Sequence, residues 1–435
     1  MRSVETDEQP EGGRRRSGDG SGRPPLLQRE HDRRALVVMS AGHAIQHFYV
    51  AGLAVTYPFV VEHFHISYAV LGLVLTAAGL AGGLLQGAAG LLRGLSARAV
   101  LTAQNLGMAA AALLGGVAPT FGVFGVGRVL GAVVSWPQHP VGSSYLSERF
   151  PHRRATVLSW HTAGGSLGTV TVPLIVSAVI AEAGWRWALA VLGIVLAAGA
   201  LLVGLALPAD VRAAAPEAAD APPVPEVSLR DLLRRRDVQA VLAASTIAAG
   251  GRGLGTLSTY LPAYLRSGLH LSTLTVGVLF TVVMAASIGG PVLGGVLADR
   301  FGRTRTLAGT YVAGAAALVG FGWVGRSLVG LAVLGVLVGL LAYTESPLLQ
   351  AVFSDLTSDG SSRSAFGAFF AIAYGVGSLW TALLGWVVTA AGFPAAFTVM
   401  AASFVVAALI VARLIHPRQP GMHPAASPHG ASAGS

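Results

Sequence analysis

The sequence contains no cysteine and no lysine, and it has few charged residues of any kind. The absence of cysteine excludes disulfides, iron–sulfur clusters, thiolate–zinc sites and cysteine nucleophiles. Charged residues make up 11% of the 435-residue chain, whereas hydrophobic residues make up 53%. A soluble domain carries about 25% Asp, Glu, Lys and Arg, so this composition excludes a water-soluble globular fold. The natural solvent of such a chain is a lipid bilayer.

All 29 basic residues are arginine, and they outnumber the 20 acidic residues to give a net charge of +9. Such an excess is typical of nucleic-acid-binding proteins, so the positions of the arginines decide what it means. Residues 1–34 hold eight of them in a polar, Gly-rich stretch without periodicity, which predicts a disordered tail.

Apolar stretches of about 20 residues, the length that crosses a bilayer as a helix, recur along the rest of the chain. They predict an all-α integral membrane protein with twelve transmembrane helices. Six helices form an N-terminal half over 35–208 and six a C-terminal half over 238–415, joined by an Ala-, Pro- and acid-rich cytoplasmic linker over 209–237. Residues 416–435 form a second disordered tail. The predicted helices lie near residues 35–60, 69–92, 99–119, 120–146, 156–181, 187–208, 238–265, 273–298, 306–325, 328–354, 365–390 and 395–415.

With both termini in the cytoplasm, 24 of the 29 arginines lie on the cytoplasmic side and three lie in outside loops. Positively charged loops stay cytoplasmic, so this asymmetry predicts a multi-pass protein of the inner (plasma) membrane with both termini inside. The basic excess then anchors the protein to membrane lipids, and we predict no nucleic-acid partner. We expect a monomer.

The two halves contain an internal repeat. Ala183-Gly184-Trp185 before the sixth helix is echoed by Ala391-Gly392-Phe393 before the twelfth. A shift of 205 residues also places His65, Ser67, Gly72, Thr76, Gly90, Leu92 and Arg98 on His270, Ser272, Gly277, Thr281, Gly295, Leu297 and Arg303. Chance alignment of small residues is the alternative, which the matched His, Thr and Arg disfavour. Parallel repeats are typical of transporters whose substrate site lies between the halves.

A short turn after the eighth helix combines glycines, an acid and arginines at fixed offsets, namely Gly295, Asp299, Arg300, Gly302 and Arg303. The glycines let two helices approach, and Asp299 can face the positive N-terminal end of a helix. The turn resembles the loop motif of the major facilitator superfamily, and the resemblance implies that these five residues form a conformational latch. The first-half counterpart departs from the pattern, because Gly94 stands where the acid belongs.

The resemblance extends over the chain and implies the major facilitator fold, with the first, fourth, seventh and tenth helices around a central cavity. Arg128 is similar to the family's fourth-helix arginine. Several segments resemble more narrowly the fosmidomycin-resistance drug exporters: Gly42-His43, Ser67-Tyr68-Ala69, Gln138-His139-Pro140, Gly164 to Gly168 with Pro173, and Glu345-Ser346-Pro347. The antiporter motif of the fifth helix has proline directly after its second glycine, whereas here Thr169 follows Gly168.

Few charges lie at bilayer depth, and Glu345 is the only acid well inside a predicted span. A charged side chain there costs about 2.5–3.5 kcal/mol on insertion scales, so it tends to face a cavity or a partner. A carboxylate in this position can load and release one proton per cycle, and we predict that Glu345 couples transport to protons. The alternative is a carboxyl that only stabilises a helix broken at Pro347.

Arg128 and Arg252 cannot deprotonate, so at depth each needs an anionic partner, either a carboxylate or the substrate. The family resemblance assigns Arg128 to proton coupling, and a structural hydrogen bond between helices is the alternative. Arg252 lies in a glycine-rich segment whose backbone can line a cavity, which predicts substrate contact or a snorkelling charge.

His43 and His47 share one face of the first helix. Zinc sites also use this spacing, but no Glu follows His43 and no third ligand is near in the sequence, so we predict no metal site. We predict that His43 relays protons and that His47 and His139 bind substrate, with a packing role as the alternative for each. The remaining predicted substrate contacts, for which packing is again the alternative, are Gln46, Trp136, Tyr260 and Tyr343.

The sequence contains no phosphate-binding loop, nucleotide fingerprint or nucleophile elbow, so we predict neither an enzyme nor a cofactor. We predict a secondary active transporter that moves a small molecule by alternating access and exports a drug or metabolite against protons. One alternative is a proton symporter that takes up a small organic anion. Another is a membrane receptor or sensor that transports nothing.

Overall fold

The computed structural model describes residues 26–86, 92, 94–209, 229–357 and 362–415, and within these ranges it is helical and has no β-strand. The predicted all-α fold class is confirmed. The parts of the predicted tails before residue 26 and after residue 415 lie outside the described residues, as do 210–228 of the predicted linker and Gly90 of the repeat.

The described part of the N-terminal half contains seven α-helices. They are α1 (Leu26–His63), α2 (Tyr68–Gln86), α3 (Ala97–Gly116), α4 (Phe121–Ser135), α5 (Gln138–Arg149), α6 (Arg154–Ala183) and α7 (Trp185–Ala206). The described part that follows contains nine. They are α8 (Leu229–Arg234), α9 (Arg236–Ala248), α10 (Ser258–Ala263), α11 (Thr273–Phe301), α12 (Arg303–Trp323), α13 (Leu328–Ala342), α14 (Glu345–Leu356), α15 (Ser362–Phe370) and α16 (Leu379–Leu414).

Nine helical stretches in the described ranges are long and apolar enough to cross a membrane. One of them, Phe366–Leu414, turns at Gly392, whose φ of 82° lies in the left-handed region, and therefore holds two spans. Two further spans are interrupted helices, α4 followed by α5 and α9 followed by α10. The chain thus crosses the bilayer twelve times, in agreement with the hydropathy pattern.

Helical structure extends into the polar segments predicted to be tail and linker. The first helix starts at Leu26, inside the predicted tail. Asp32 in this polar turn accepts a hydrogen bond from Arg149 Nε at 2.8 Å, which ties the turn to α5. Helix α8 and the first two residues of α9 lie inside the predicted linker. The charge pattern did not predict these helical turns. It indicates where a helix leaves the bilayer, but a helix can continue beyond that point.

Proline explains why the fourth and tenth spans are interrupted. It lacks an amide hydrogen, and its ring clashes with the carbonyl four residues earlier. Pro140 and Pro347 follow Trp136 and Tyr343 by four residues, and the preceding helices stop at these positions. Helices α4 and α13 both have 15 residues, and α5 and α14 both have 12, so the two spans repeat each other. The break in the tenth span therefore precedes Pro347, whereas the sequence suggested a break at this proline.

Backbone torsions follow the predicted internal repeat. His65 and His270, which the repeat matches, both have positive φ, at 50° and 54°. Gly184 and Gly392 precede the sixth and twelfth spans with φ of 89° and 82°. Non-glycine residues rarely adopt positive φ, so the paired histidines are a specific sign of two pseudo-symmetric halves.

Hydrogen bonds join the two halves along α2 and the eleventh span. The Thr76 hydroxyl donates to the carbonyl of Ser378 at 2.9 Å, and the amide of Ala382 donates to Thr76 Oγ1 at 3.0 Å. The hydroxyls of Tyr68 and Ser267 lie 2.8 Å apart and link the start of α2 to the end of the seventh span. Since α2 starts on the membrane face opposite the chain termini, the halves are held together on that face.

Glycines bring α6 against α1 in the N-terminal half. A Cβ on Gly168 would lie 2.0 Å from the carbonyl oxygen of Ala44, and one on Gly164 would lie 2.4 Å from that of Ser40. These are backbone atoms, so the two helices can approach this closely only where the side chain is a hydrogen atom. The Gly164–Gly168 spacing is the small-residue pattern that lets membrane helices pack.

We expect Gly168→Ala to lower the free energy of unfolding by about 1–3 kcal/mol, because the added methyl forces α1 and α6 apart. The measurement is thermal unfolding of the purified protein in detergent. Gly309→Ala is the matched control, since Gly309 lies within α12 and a Cβ there meets nothing within 4 Å. Equal melting temperatures for the two variants would contradict the packing role.

Candidate functional site

The seventh span loses its helical form beside Arg252. Helix α9 ends at Ala248, and Leu254 and Gly255 have non-helical torsions before α10 begins at Ser258. A Cβ on Gly253 would lie 2.3 Å from the ring of Tyr343, the residue at which the tenth span breaks. The interruptions of the seventh and tenth spans therefore meet at one place in the C-terminal half.

A buried ion pair lies at this meeting point. Arg252 Nε donates a hydrogen bond to Glu345 Oε1, and the Tyr311 hydroxyl donates to Glu345 Oε2 at 3.1 Å. Glu345 is fully buried and Arg252 is 4% exposed. Because Glu345 is the first residue of α14, its carboxylate also lies at the positive end of that helix. Two charges so far from water persist only when each is paired and hydrogen-bonded.

Backbone and side-chain oxygens hold the rest of the Arg252 guanidinium. Its NH1 donates to the carbonyl of Ala373 at 2.9 Å, and its NH2 donates to the carbonyl and the hydroxyl of Ser245 at 2.7 and 2.9 Å. The Tyr374 ring lies 4.9 Å from the guanidinium carbon, a cation–π distance. Arg252 thus connects the seventh, tenth and eleventh spans.

The N-terminal half contains a neutral counterpart of this arrangement. A shift of 207 residues, which superimposes the fourth span on the tenth, places Gln138 on Glu345 and Gln104 on Tyr311. Gln104 Nε2 donates to Gln138 Oε1 at 3.0 Å, and both side chains are buried. The two halves therefore share a geometry, but the charged version belongs to the C-terminal half.

The predicted histidines of the N-terminal half lie together. The His43 ring centroid is 4.5 Å from that of His47 and 5.2 Å from that of His139, and the His47 and His139 centroids are 5.8 Å apart. His161 on α6 stacks on His43 with centroids 4.2 Å apart. Three helices thus contribute to a cluster of four imidazoles, hereafter the histidine cluster (His43, His47, His139 and His161).

Arg128 lies apart from both groups. Its Nε donates to the Tyr57 hydroxyl on α1 at 3.0 Å, and the side chain lines a small cavity together with Tyr49 and Phe124. The sequence predicted an anionic partner, either a carboxylate or the substrate. Among the described residues the hydrogen-bond partner of Arg128 is a neutral hydroxyl on another helix, and an anionic substrate as partner stays a prediction. The physical reason is that a tyrosine oxygen accepts a hydrogen bond from guanidinium without a second buried charge.

The other predicted substrate contacts differ in their surroundings. Tyr260 is fully buried, and its hydroxyl donates to the carbonyl of Thr381 in the eleventh span of the same half. Gln46 is 6% exposed. Trp136 and Tyr343 are half-buried at the equivalent breaks of the fourth and tenth spans. These two aromatics are therefore more accessible than Tyr260 and Gln46.

The predicted latch lies at the turn between α11 and α12. Gly302 has a φ of 87° and makes the turn possible, and a Cβ on Gly295 would meet nothing within 4 Å. Asp299 and Arg300 are exposed. Arg303 pairs with Asp355 at the end of α14, so its ion pair lies inside the C-terminal half rather than between halves.

Sequence analysis missed Tyr311, Ser245 and Tyr374, which complete the surroundings of the ion pair. Each is an ordinary polar or aromatic residue in an apolar span. Helical periodicity does not distinguish such a residue from one that only packs against neighbouring helices. The internal repeat contained one indication of Tyr311. A shift of 207 residues places Gln104 on Tyr311 and Gln138 on Glu345, so each half has one polar residue beside its broken span.

Comparisons with known proteins agree with this architecture. The family model for the Major Facilitator Superfamily matches residues 39–381 and 253–433. The crystal structure of the nucleoside transporter NupG is 14% identical with a TM-score of 0.72, and the match covers 89% of this chain and 100% of that one. A bacterial homologue of the human lysosomal transporter Spinster, inward-facing and occupied, is 15% identical with a TM-score of 0.67, covering 89% and 96%. The human organic anion transporter MFSD10 is 16% identical with a TM-score of 0.60, covering 89% and 100%.

Such low identities show a shared fold alone. No relative of curated function is found at the level of sequence.

We expect Arg252→Met to lower the free energy of unfolding by about 3–5 kcal/mol, because it leaves a buried carboxylate without its partner. The double variant that adds Glu345→Gln should recover most of this loss, since no buried charge then remains. Unfolding in detergent measures both. The matched control is Arg303→Met in the half-exposed pair with Asp355, for which about 0–1 kcal/mol is expected. A double variant as unstable as the single one would contradict the pairing argument.

Proposed function

The chain belongs to the major facilitator superfamily and is a multi-pass membrane transporter, not an enzyme, and from this premise we propose that it exports a small molecule in exchange for protons. Its two halves rock around a site between them and expose it to each side of the membrane in turn. The free energy comes from an ion gradient, because one charge that crosses 100 mV gains about 2.3 kcal/mol.

The observation that carries proton coupling is the buried carboxylate of Glu345 at the break of the tenth span. The equivalent position of the other half is Gln138, which cannot exchange a proton, so the pair of halves contains one titratable group at this symmetric position. Protonation of Glu345 removes the counter-charge of Arg252, which also holds carbonyls of the seventh and eleventh spans. A single proton thereby changes the interactions among three spans.

The histidines and Arg128 are secondary candidates in the N-terminal half. We propose that His43 and Arg128 affect coupling and that His47 and His139 contact substrate, together with Trp136 and Tyr343 at the two breaks. Arg252 contacts substrate in this scheme only after Glu345 releases it.

Only the resemblance to drug exporters supports the proposed direction of transport, and the departure at Thr169 weakens that support. One observation favours a second candidate. Arg252 donates four hydrogen bonds, one to Glu345, one to Ala373 and two to Ser245. When Glu345 is protonated, the Arg252 guanidinium loses its anionic partner. An organic anion from solution could then take the place of the carboxylate. This sequence of events describes proton symport of an organic anion, the substrate class of the structurally similar human organic anion transporter MFSD10.

We propose that the protein resides in the inner (plasma) membrane with both termini in the cytoplasm, because the arginine-rich loops then lie inside. In this orientation the hydrogen bonds of Tyr68 and Thr76 hold the halves together on the outer side. The predicted latch residues, including Asp299 and Arg303, then lie on the cytoplasmic side, where they would act when the halves close there.

Flux measurements in proteoliposomes with an imposed pH gradient separate the candidates. We expect an inward proton gradient to drive efflux of substrate, with accumulation in everted vesicles. Uptake in the same direction as protons would instead identify the anion symporter, and absence of flux for nucleosides, organic anions and amphipathic drugs would favour a receptor or sensor. A growth-inhibition panel in a pump-deleted strain selects the compounds to test, with Arg128→Ala as the comparison variant.

We expect Glu345→Gln to abolish flux driven by the pH gradient while substrate exchange between the two sides of the membrane continues, because the variant installs the neutral residue of the other half. Flux under a pH gradient and exchange at equal pH are measured on the same vesicles. Glu182→Gln, at an exposed position near the end of α6, is the matched control and should transport normally. Proton-driven flux that survives in a folded Glu345→Gln protein would rule out this role.

A further inference from the structure

We infer that the histidine cluster contains a binding site for a divalent transition-metal ion, formed by His43 and His47 of α1 and His139 of α5. One nitrogen from each of the three rings lies within 4.8 Å of the others. The sequence placed His43 and His47 on one face of α1, and the structure adds His139 from a different span. The inference concerns the N-terminal half and goes beyond the proposed role of Glu345.

Hydrogen bonds determine which nitrogen of His43 is free to bind an ion. His43 Nδ1 lies 2.8 Å from the carbonyl oxygen of His161, which can only accept, so Nδ1 carries the hydrogen. In the neutral ring the lone pair is then on Nε2. This atom is buried and has no hydrogen-bond partner among the described residues.

His47 is held in the same tautomer by a different route. Its Nδ1 lies 3.1 Å from the Thr169 hydroxyl, and that hydroxyl donates its own hydrogen to the carbonyl of Gly165 at 3.0 Å. The Thr169 oxygen therefore accepts from His47 Nδ1. The lone pair of His47 is again on Nε2, which is buried without a partner in the part of the chain that the structure describes.

These two arrangements are those of metal-binding histidines, which donate the other ring hydrogen to a carbonyl or hydroxyl and so keep one nitrogen aimed at the ion. Without a bound ion, the lone pairs of His43 Nε2 and His47 Nε2 are buried with no hydrogen-bond donor, and nothing compensates the cost of removing them from water. The departure at Thr169, where related antiporter motifs carry proline, supplies the oxygen that orients His47. Thr169 is thus a positioning residue for the proposed site.

The geometry fits a tetrahedral ion after a modest closing of the ligands. Imidazole nitrogens at about 2.1 Å from a tetrahedral zinc ion are about 3.4 Å apart, so the rings must approach by no more than about 1.4 Å from their present limit. His139 is exposed, so it is the ligand expected to move, whereas His43 is held by its hydrogen bond and by the stacked His161.

Three neutral imidazoles suit Zn²⁺, Co²⁺, Ni²⁺ or Cu²⁺ rather than Mg²⁺ or Ca²⁺, which prefer oxygen. The ligands bring no negative charge, so the bound ion keeps its charge. An imidazole whose Nε2 binds metal cannot relay a proton or bond to substrate through that atom. Metal binding therefore excludes, while the ion is bound, the relay role of His43 and direct substrate contacts of His47 and His139 through Nε2.

The test is equilibrium dialysis and calorimetric titration of the purified full chain with Zn²⁺, after removal of any polyhistidine tag. We expect one ion per chain. His47→Ala and His139→Ala should each weaken the affinity at least 100-fold, and Thr169→Val, which keeps the shape but removes the oxygen, should weaken it about 10–100-fold. Exposed His152 lies outside the cluster, so His152→Ala is the matched control and should bind as the wild type does.

Two further measurements separate a binding defect from misfolding and from the proposed function. Zn²⁺ should raise the melting temperature of the wild type but not that of His139→Ala, which lacks one of the three ligands. Co²⁺ should give the intense absorption of a four-coordinate ion. The Glu345→Gln protein should bind Zn²⁺ normally, so failure of proton coupling and failure of the metal site are distinguishable.

The inference is overturned if the wild type binds less than one Zn²⁺ per chain at micromolar concentration, or if His47→Ala and His139→Ala retain wild-type affinity. Inorganic phosphate that binds the cluster in place of Zn²⁺ would overturn it too, because the imidazoles would then act as cations.

Discussion

The buried ion pair of Arg252 and Glu345 is the interaction on which the centre of this transporter depends. Neither charge is stable alone in an apolar interior, and each removes the cost of the other only at hydrogen-bond distance. The surrounding features serve that contact. The seventh span unwinds so that Arg252 can turn inward, and the tenth span restarts at Glu345 so that a helix N-terminus faces the carboxylate. Tyr311 and Ser245 satisfy the remaining groups.

Two pseudo-symmetric halves share a backbone but not a chemistry. The breaks of the fourth and tenth spans have the same cause, a proline four residues further on, and helices of equal length on both sides. At the equivalent position one half holds the neutral pair Gln104 and Gln138, and the other holds Tyr311 with Glu345. The N-terminal half brings four imidazoles together in the histidine cluster. Symmetry of the fold therefore gives the two halves a common geometry, and the asymmetry of side chains places the Arg252–Glu345 ion pair in the C-terminal half.

Small residues make this close arrangement of broken spans possible. Gly253 lets the seventh span lie against Tyr343, and Gly168 lets α6 lie against the backbone of α1 at Ala44. In lipid, no hydrophobic effect drives one helix against another, so association depends on packing and on interhelical hydrogen bonds. The hydrogen bonds of Thr76 with the eleventh span supply the second kind of contact between the halves.

The sequence by itself determined the solvent, the number of spans, the repeat and the identity of the rare buried charges. It could do so because a span of about 20 apolar residues and a lone acid at bilayer depth are local facts, visible without neighbours. The family resemblance added the arrangement of the spans. Only the tertiary structure decided the partners: that Arg252 pairs with Glu345, that Arg128 lies beside Tyr57, that Tyr260 bonds to Thr381, and that His139 joins His43 and His47. Partners on different spans follow from helix rotation and depth, which hydropathy does not specify because every face of a central membrane helix is apolar enough to be buried.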